Sequence, residues 1–266
     1  MPAAAGQEDV LLQERHGAVL ELTLNRPDHL NAIDRSLHDL LHTTFLEIAS
    51  MSDVRAVVFA ARGKAFSAGG DFDFILYQNA HVNQEEAVKE GLEILSAFLN
   101  IPAPVVIAMQ GDAMGIGASL ALAGDAIVTH PGVRIADPHV MVGLAAGDGG
   151  CLVWPQSAGM VLAKRHLLTA EPISGEVAAR VGLVSDLVES ADEVLPHART
   201  IAERIADLPP LAVQGTKRAL NALVQKRFDE VMELSARIEM DTLVSSDVRE
   251  AVASIRGRRT GVFSGQ

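Results

Sequence analysis

A single cysteine, Cys151, in 266 residues leaves no internal disulfide and no cysteine-rich metal site, which agrees with a reducing compartment. The histidines are equally unhelpful to a metal: His16, His29, His38, His42, His81, His130, His166 and His197 lack ligand spacing with carboxylates around them, and read as surface or capping residues. Long apolar runs are missing too. Gly, Asp or Pro breaks each one well short of the ~20 residues of a membrane span, and no basic region followed by an apolar core opens the chain. The expectation is a cytoplasmic protein with no membrane partner. Basic charge is scarce, with 22 Lys and Arg against 34 Asp and Glu and a net charge of -12, so nucleic acid is not an expected partner. No repeat of fixed period is present. The string G-I-G-A-S-L is an incomplete dinucleotide fingerprint, with no acidic residue at the required distance.

What is present is a chain with 48% hydrophobic and 21% charged residues, long enough to bury a large core. Residues 110–125 read Q-G-D-A-M-G-I-G-A-S-L-A-L-A-G-D, a glycine-rich turn feeding a helix with almost no polar face. Such a helix must be buried, so its first N–H groups point into the interior. One reading is a core helix with glycines for close packing. The other is a terminus that holds a ligand oxygen gaining negative charge. A second glycine turn, R-G-K-A-F-S-A-G-G-D at 62–71, follows an apparent buried strand at 54–60.

Elsewhere, residues 10–15 and 18–24 alternate around His16 and Gly17 as a hairpin, and Ser36 opens an amphipathic helix to about residue 50. Residues 1–7 are small and polar and are expected to fray. A helix is expected around 85–99 and a strand at 104–110, and the strand pattern returns at 126–135. Residues 72–83 are the least patterned stretch and suggest a flap or a surface loop with aromatic anchors. Asp34, Asp71, Asp73 and Asp112 read first as caps. Residues 176–208 are helical apart from a short strand at 183–188; after Pro209 and Pro210, segments 211–223, 228–240 and 247–256 read as three amphipathic helices. Their apolar faces need partners. The expected division is a catalytic domain at 1–200 and a helical oligomerisation domain at 201–266.

The pairing of A-F-S-A-G-G-D with G-D-A-M-G-I-G-A-S-L-A, together with L-N-R-P-D-H-L-N-A at 24–32 and A-A-R-V-G-L-V at 178–184, resembles the enoyl-CoA hydratase/isomerase (crotonase) superfamily over nearly the whole chain. The resemblance implies an α/β fold, a right-handed spiral of ββα units with a C-terminal helical trimerisation segment, in a homotrimer or dimer of trimers. It implies an acyl-CoA thioester as substrate, coenzyme A entering as part of it, and no permanently bound cofactor. The N–H groups of Gly70 and Ile116 would form the oxyanion hole. Asp28, His29 and Leu30, with Ala68 and Asp71 of the first turn, would bind substrate, and Phe263 near the end would close over the adenine from a neighbouring chain. Arg62, Lys64, Arg256, Arg258 and Arg259 are candidates for the local basic patch that CoA phosphates need.

Two glutamates hold water in hydratases of this family. At the matching positions this chain has Ser119 and His139. In their place stands Asp148, in G-L-A-A-G-D-G-G. It reads either as the cap of a helix running through Val153 or as the acid/base partner of His139, and family position favours the second. The expected catalytic residues are therefore Asp148, His139 and, as a minor hydrogen-bonding contributor, Ser119. The segment G-D-G-G-C-L-V-W-P also resembles the β-diketone hydrolases related to 6-oxocamphor hydrolase, which would imply a retro-Claisen carbon–carbon cleavage without CoA. That branch expects a further histidine where this chain has Ile116 and Ser119. A non-catalytic oligomeric acyl-CoA-binding scaffold is a third possibility, one that leaves the glycine turns without a use.

Overall fold

Strands buried on both faces set the frame of the computed structural model, which describes residues 10–81 and 83–266. The segment expected to fray, 1–7, lies outside these. The hairpin is present as β1 (Leu11–His16) and β2 (Val19–Leu24), antiparallel with Leu11 opposite Leu24. In parallel beyond it lie β3 (Ala56–Ala61), β5 (Val105–Ala108), β7 (Ala126–Thr129) and β10 (Asp186–Leu187), a six-stranded sheet in the order β1-β2-β3-β5-β7-β10. A second sheet holds β4 (Ala65–Ser67), β6 (Asp112–Met114), β8 (Arg134–Ala136) and β9 (Ile173–Ser174), in the order β4-β6-β8-β9. Each turn of the chain thus gives one strand to each sheet before a helical return, because parallel neighbours cannot be joined by a hairpin.

The period-2 pattern of β3 explains the layers. Val57 and Phe59 face α1 (Arg35–Ser50) and α3 (Gln84–Leu99), where Phe45 and Phe98 meet edge to face at 5.1 Å. Ala56, Val58 and Ala60 face the opposite way, onto Val194, Ala198 and Ala202 of α8 (Ala191–Ala206). Spaced four apart, those three residues form one stripe, and alanines on both sides bring helix and sheet close. Helix α1 buries Leu37, Leu41, Phe45 and Ile48, and begins one residue before Ser36 because Asp34 caps it by accepting from the Leu37 N–H at 2.9 Å.

Three expectations change. Residues 72–81 are not a loop but a helix, α2 (Phe72–His81), started by Asp71, whose Oδ1 accepts from the Asp73 and Phe74 N–H groups. Its weak pattern reflects how it is held: Asn79, its one buried residue, donates to the carbonyls of Leu243 and Ser245. The segments 211–223 and 228–240 are one continuous helix, α9 (Pro210–Leu243), since the intervening Val224, Gln225, Lys226 and Arg227 contain no breaker. α10 (Ser246–Arg256) follows as expected. Residues 200 and 201, the expected division, both lie within α8, and α9 packs along the spiral of its own chain. Lys217 reaches Asp125 at 2.6 Å, and Asn221 donates to the Leu99 carbonyl at 3.0 Å. Among the described residues no helix is long and apolar enough to cross a membrane.

Candidate active site

Parallel pairing of β4 with β6 brings their C-terminal ends side by side, and with them the two glycine turns. Gly69 has φ +85°, and a Cβ there would stand 2.8 Å from the Met114 carbonyl oxygen, so only glycine lets the turns touch. The bridge between Ile33 and Gly70 is made by the Ile33 N–H, on the Gly69 carbonyl, and the Asp71 N–H, on the Ile33 carbonyl. The Gly70 N–H takes no part in it. Ile116 is the second residue of α4 (Gly115–Leu122), where helix geometry offers its N–H no intrahelical partner. The rest of α4 is buried, as its apolar sequence requires. Gly70, Gly115 and Ile116 line one cavity of about 140 Å³.

The same cavity exposes His139, Asp148 and Glu239. His139 follows Pro138 at the head of a 3-10 turn, His139–Val142, and is 8% exposed. Its Nδ1 is hydrogen-bonded to Asp137 at the end of β8, and its Nε2 lies 3.1 Å from Asp148 Oδ2. Asp148 Oδ1 accepts from the Ser119 hydroxyl at 3.1 Å. The helix that follows, α5 (Gly150–Ala158), is capped at Gly149 with no side-chain bond, so Asp148 is not its cap. Glycines on either side make room: a Cβ at Gly149 would meet Ser119, and one at Gly150 would strike Asp137 Oδ2. That oxygen is buried with no hydrogen-bond partner among the described residues.

Burial pulls the His139 imidazolium down, but the charges of Asp148 and Asp137 outweigh it and hold the ring well above its ordinary range. The ring is a cation between two carboxylates. Glu239 Oε1 stands 3.8 Å from His139 Nε2, and the side chain is 13% exposed. Burial pushes this carboxyl up to about 8; the His139 charge opposes the shift, and Asp148 and Asp137 add to it. Near neutral pH it is therefore a carboxylic acid beside the His139 ring. The Cys151 thiol is pushed up by burial and then by Asp137 and Asp148, which removes it as a nucleophile.

Asp137 and Glu239 are the two members of this cluster that the sequence did not yield. Asp137 stands two residues before His139, in A-D-P-H, and could have been read from that adjacency. Glu239 could not, because it arrives from α9: Gly147 packs so closely under that helix that a Cβ would lie 2.5 Å from Glu239 Cβ and from the Ser235 carbonyl. Ser119 lies behind Asp148, 1% exposed, and does not line the cavity. Ala68 lines it. Asp71 does not, being occupied with the start of α2. Asp28, His29 and Leu30 sit outside the cavity in a 3-10 turn, Pro27–His29, joined to the first glycine turn by the Ala68 N–H on the Leu30 carbonyl at 2.9 Å. Phe263 lies away from the cavity of its own chain, 56% exposed, with its ring against Gly261. Arg256 and Arg259 are paired with Asp73 and Glu250.

Asp137, His139 and Asp148 bring possible metal-ligating atoms within 4.8 Å of one another. Both ring nitrogens of His139 are already bonded to carboxylates, and a protonated imidazole has no lone pair for a metal. A similar grouping of Glu14, His16 and Glu21 is mostly exposed, and Glu21 is held by Arg199 at 2.7 Å.

Fold and site together describe a spiral α/β protein in which two glycine turns and a buried acid cluster share one cavity. Residues 14–266 match the signature of the Enoyl-CoA hydratase/isomerase family. A probable enoyl-CoA hydratase of Rhodobacter capsulatus is 32% identical over 92% of this chain and 94% of its own. A short-chain-enoyl-CoA hydratase of Clostridium acetobutylicum is 28% identical over 94% of this chain and 95% of its own. The crystal structure of an enoyl-CoA hydratase/isomerase from Mycobacterium paratuberculosis superimposes with a TM-score of 0.88 at 33% identity, covering 93% of this chain and 98% of that one. The chain belongs to the enoyl-CoA hydratase/isomerase family and has the crotonase fold.

Proposed function

We propose that the protein hydrates an α,β-unsaturated acyl-CoA thioester, with Asp148 and Glu239 taking the place of the absent glutamate pair. The observation that carries this is the split between two carboxyl groups in one cavity: Asp148 pairs with the His139 cation, while Glu239 is pushed up to about 8. A carboxyl whose surroundings keep its proton is suited to serve as the acid, and the carboxyl paired with the His139 cation to serve as the base. The thioester oxygen accepts hydrogen bonds from the Gly70 and Ile116 N–H groups, which stabilise the enolate. Asp148 removes a proton from water as the water oxygen bonds to Cβ, and Glu239 delivers its proton to Cα as the enolate collapses. His139 Nε2, 3.1 Å from Asp148 and 3.8 Å from Glu239, then returns the proton from one carboxyl to the other.

In this reading coenzyme A arrives with the substrate and no resident cofactor is needed. Asp28, His29 and Leu30 lie beside the first turn, where they would border the pantetheine and adenine groove. The assembly is a trimer or a dimer of trimers, supported by apolar residues of α9 that its own chain leaves exposed, such as Leu211, Leu220 and Leu223; a stable monomer in sedimentation at micromolar concentration would remove that part.

Crotonyl-CoA turnover tests the chemistry. We expect conversion to the 3-hydroxyacyl product, and a loss of at least about a hundredfold in Asp148→Asn and in Glu239→Gln, the order contributed by positioned acid and base groups. A shifted double bond without added water would replace hydration by isomerisation. Absence of binding at millimolar acyl-CoA, with cleavage of a bicyclic β-diketone, would transfer the site to retro-Claisen hydrolysis.

A further inference from the structure

The cavity that holds the acid cluster has a wall on its far side, and that wall is shared. Between α2 and α3 it is lined by Phe74, Gln78, Ala87 and Glu90. These four residues also line a second cavity of about 520 Å³, bordered beyond them by Arg35, Tyr77 and His81. Four side chains therefore stand between two empty spaces. One of the two polar side chains among them is fixed: both Glu90 carboxylate oxygens accept from the Arg35 guanidinium at 2.7 Å, and Arg35 is itself anchored on Asp39 at 2.9 Å. A side chain pinned by a two-pronged guanidinium bond does not swing aside as a free rotamer does.

We infer that this partition, with Phe74 and Glu90 as its principal members, limits the acyl group to a short or compact one; the inference rests on the acyl-CoA reading above. The scale comes from volume. The first cavity, about 140 Å³, is close to the ~150 Å³ apolar cavity that accommodates benzene. A butenoyl or hexenoyl chain, or a single ring, fits that space. A ten-carbon chain does not, unless the wall opens. Truncating Phe74 or Glu90 would join the two cavities and give the distal methylenes room past α2. Glu90→Ala is the cleaner change, because Arg35 keeps Asp39 as its partner.

The experiment compares kcat/KM for crotonyl-CoA, trans-2-hexenoyl-CoA and trans-2-decenoyl-CoA in the wild type, Phe74→Ala, Glu90→Ala and Glu90→Gln. The wild type is expected to favour crotonyl-CoA over decenoyl-CoA by at least about tenfold. The decenoyl-to-crotonyl ratio should rise at least about tenfold in both alanine variants, a modest part of the roughly fourfold that each newly buried methylene can contribute. Glu90→Gln preserves the volume of the wall but loses one of the two guanidinium bonds, so its ratio should lie between those of the wild type and Glu90→Ala. Phe74→Leu, a smaller change, should move the ratio in the same direction if Phe74→Ala does not fold. A wild type that uses both substrates equally, or folded truncations with an unmoved ratio, would overturn the partition while leaving acyl-CoA chemistry intact. No binding of any acyl-CoA by the wild type would instead remove the functional reading itself, and the partition with it.

Discussion

Glu239 of α9 brings its Oε1 to 3.8 Å from His139 Nε2, so the long C-terminal helix supplies a side chain to the cavity of its own chain. The sequence pattern divides the chain near residue 200 and reads that helix as an assembly element. The loop 143–150 joins the two parts: the Ser235 hydroxyl donates to the Gly147 carbonyl at 3.2 Å, and the Ala145 N–H donates to Thr242 Oγ1 at 3.0 Å.

The first prediction concerns Glu239 and pH. Its carboxyl ionises at 4.5 in the ordinary case and at about 8 here, so between those values the folded protein holds a proton that the unfolded chain has lost. Stability contributed by this group is thus present below the unfolded value and falls as pH rises towards about 8. Glu239→Gln cannot ionise and escapes that fall. The difference in Tm, variant minus wild type, should become more positive from about pH 5 to about pH 9. In the wild type, kcat/KM for crotonyl-CoA should decline above about pH 8, where the acid is lost. A Tm difference that does not change with pH would show that Glu239 ionises normally.

Asp148 and Ser119 should separate in magnitude. Asp148→Asn removes the proposed base and one of the two carboxylates around His139, and crotonyl-CoA turnover should fall at least about a hundredfold. Ser119→Ala removes only the donor to Asp148 Oδ1, a bond to a charged group worth about 1.5–3 kcal/mol, and the fall should be roughly ten- to a hundredfold. Asp137→Asn removes the other carboxylate on His139 and one of the charges that raise Glu239. NMR titration of the ring should show its pKa descending in both Asp variants, since each loses a charge that held it up. A ring that titrates as in the wild type would separate His139 from these carboxylates.

How much of this could be read beforehand depended on range. The glycine turns were legible because their constraint is local in each strand–turn unit: Gly69 needs φ +85°, and α4 has no polar face to expose. His139 and Asp148 were legible as departures from a familiar pattern nine residues apart. Helix α2 was not, because only Asn79 of it is buried and its hold on the chain runs through the carbonyls of Leu243 and Ser245. Resemblance alone gives Asp71 and Phe263 substrate roles, the second from a neighbouring chain. In this structure the first starts α2 and the second lies in the C-terminal tail against Gly261. Glu239 was hidden for the reason α2 was: its meaning comes from packing against Gly147, which no window of sequence contains.

Gly69→Ala tests whether the contact between the turns matters to the chemistry. The backbone at φ +85° disfavours a side chain, and the added methyl would meet the Met114 carbonyl at 2.8 Å. Strain of this kind costs about 1–3 kcal/mol. Because the turns carry Gly70 and Ile116, the loss in kcat should exceed what the loss in stability accounts for. A misplaced oxyanion donor is comparable with a missing one, about 10²–10³ in kcat. A variant that melts earlier yet keeps wild-type kcat would show that the two donors do not depend on this contact.

Lys217 tests the other end of α9, far from the acid cluster in sequence. Its side chain is 8% exposed; Nζ donates to Asp125 Oδ2 at 2.6 Å and to the Ala103 carbonyl at 3.1 Å. Burial lowers its pKa and the Asp125 charge opposes that, so the ammonium is held in place by its partner. Asp125 Oδ2 also accepts from the Val105 N–H at 2.7 Å, tying the pair to the start of β5. Lys217→Met should cost about 1.5–3 kcal/mol in urea unfolding, because it removes charged hydrogen bonds to Asp125 and Ala103 and leaves the Asp125 carboxylate without its counter-charge. Adding Asp125→Asn removes that charge while an amide oxygen can still accept from Val105, so the double variant should recover most of the loss. Lys217→Met enzyme that remains folded should keep its kcat for crotonyl-CoA. A double variant no more stable than Lys217→Met would mean that the lysine acts through packing of its methylenes and not through charge.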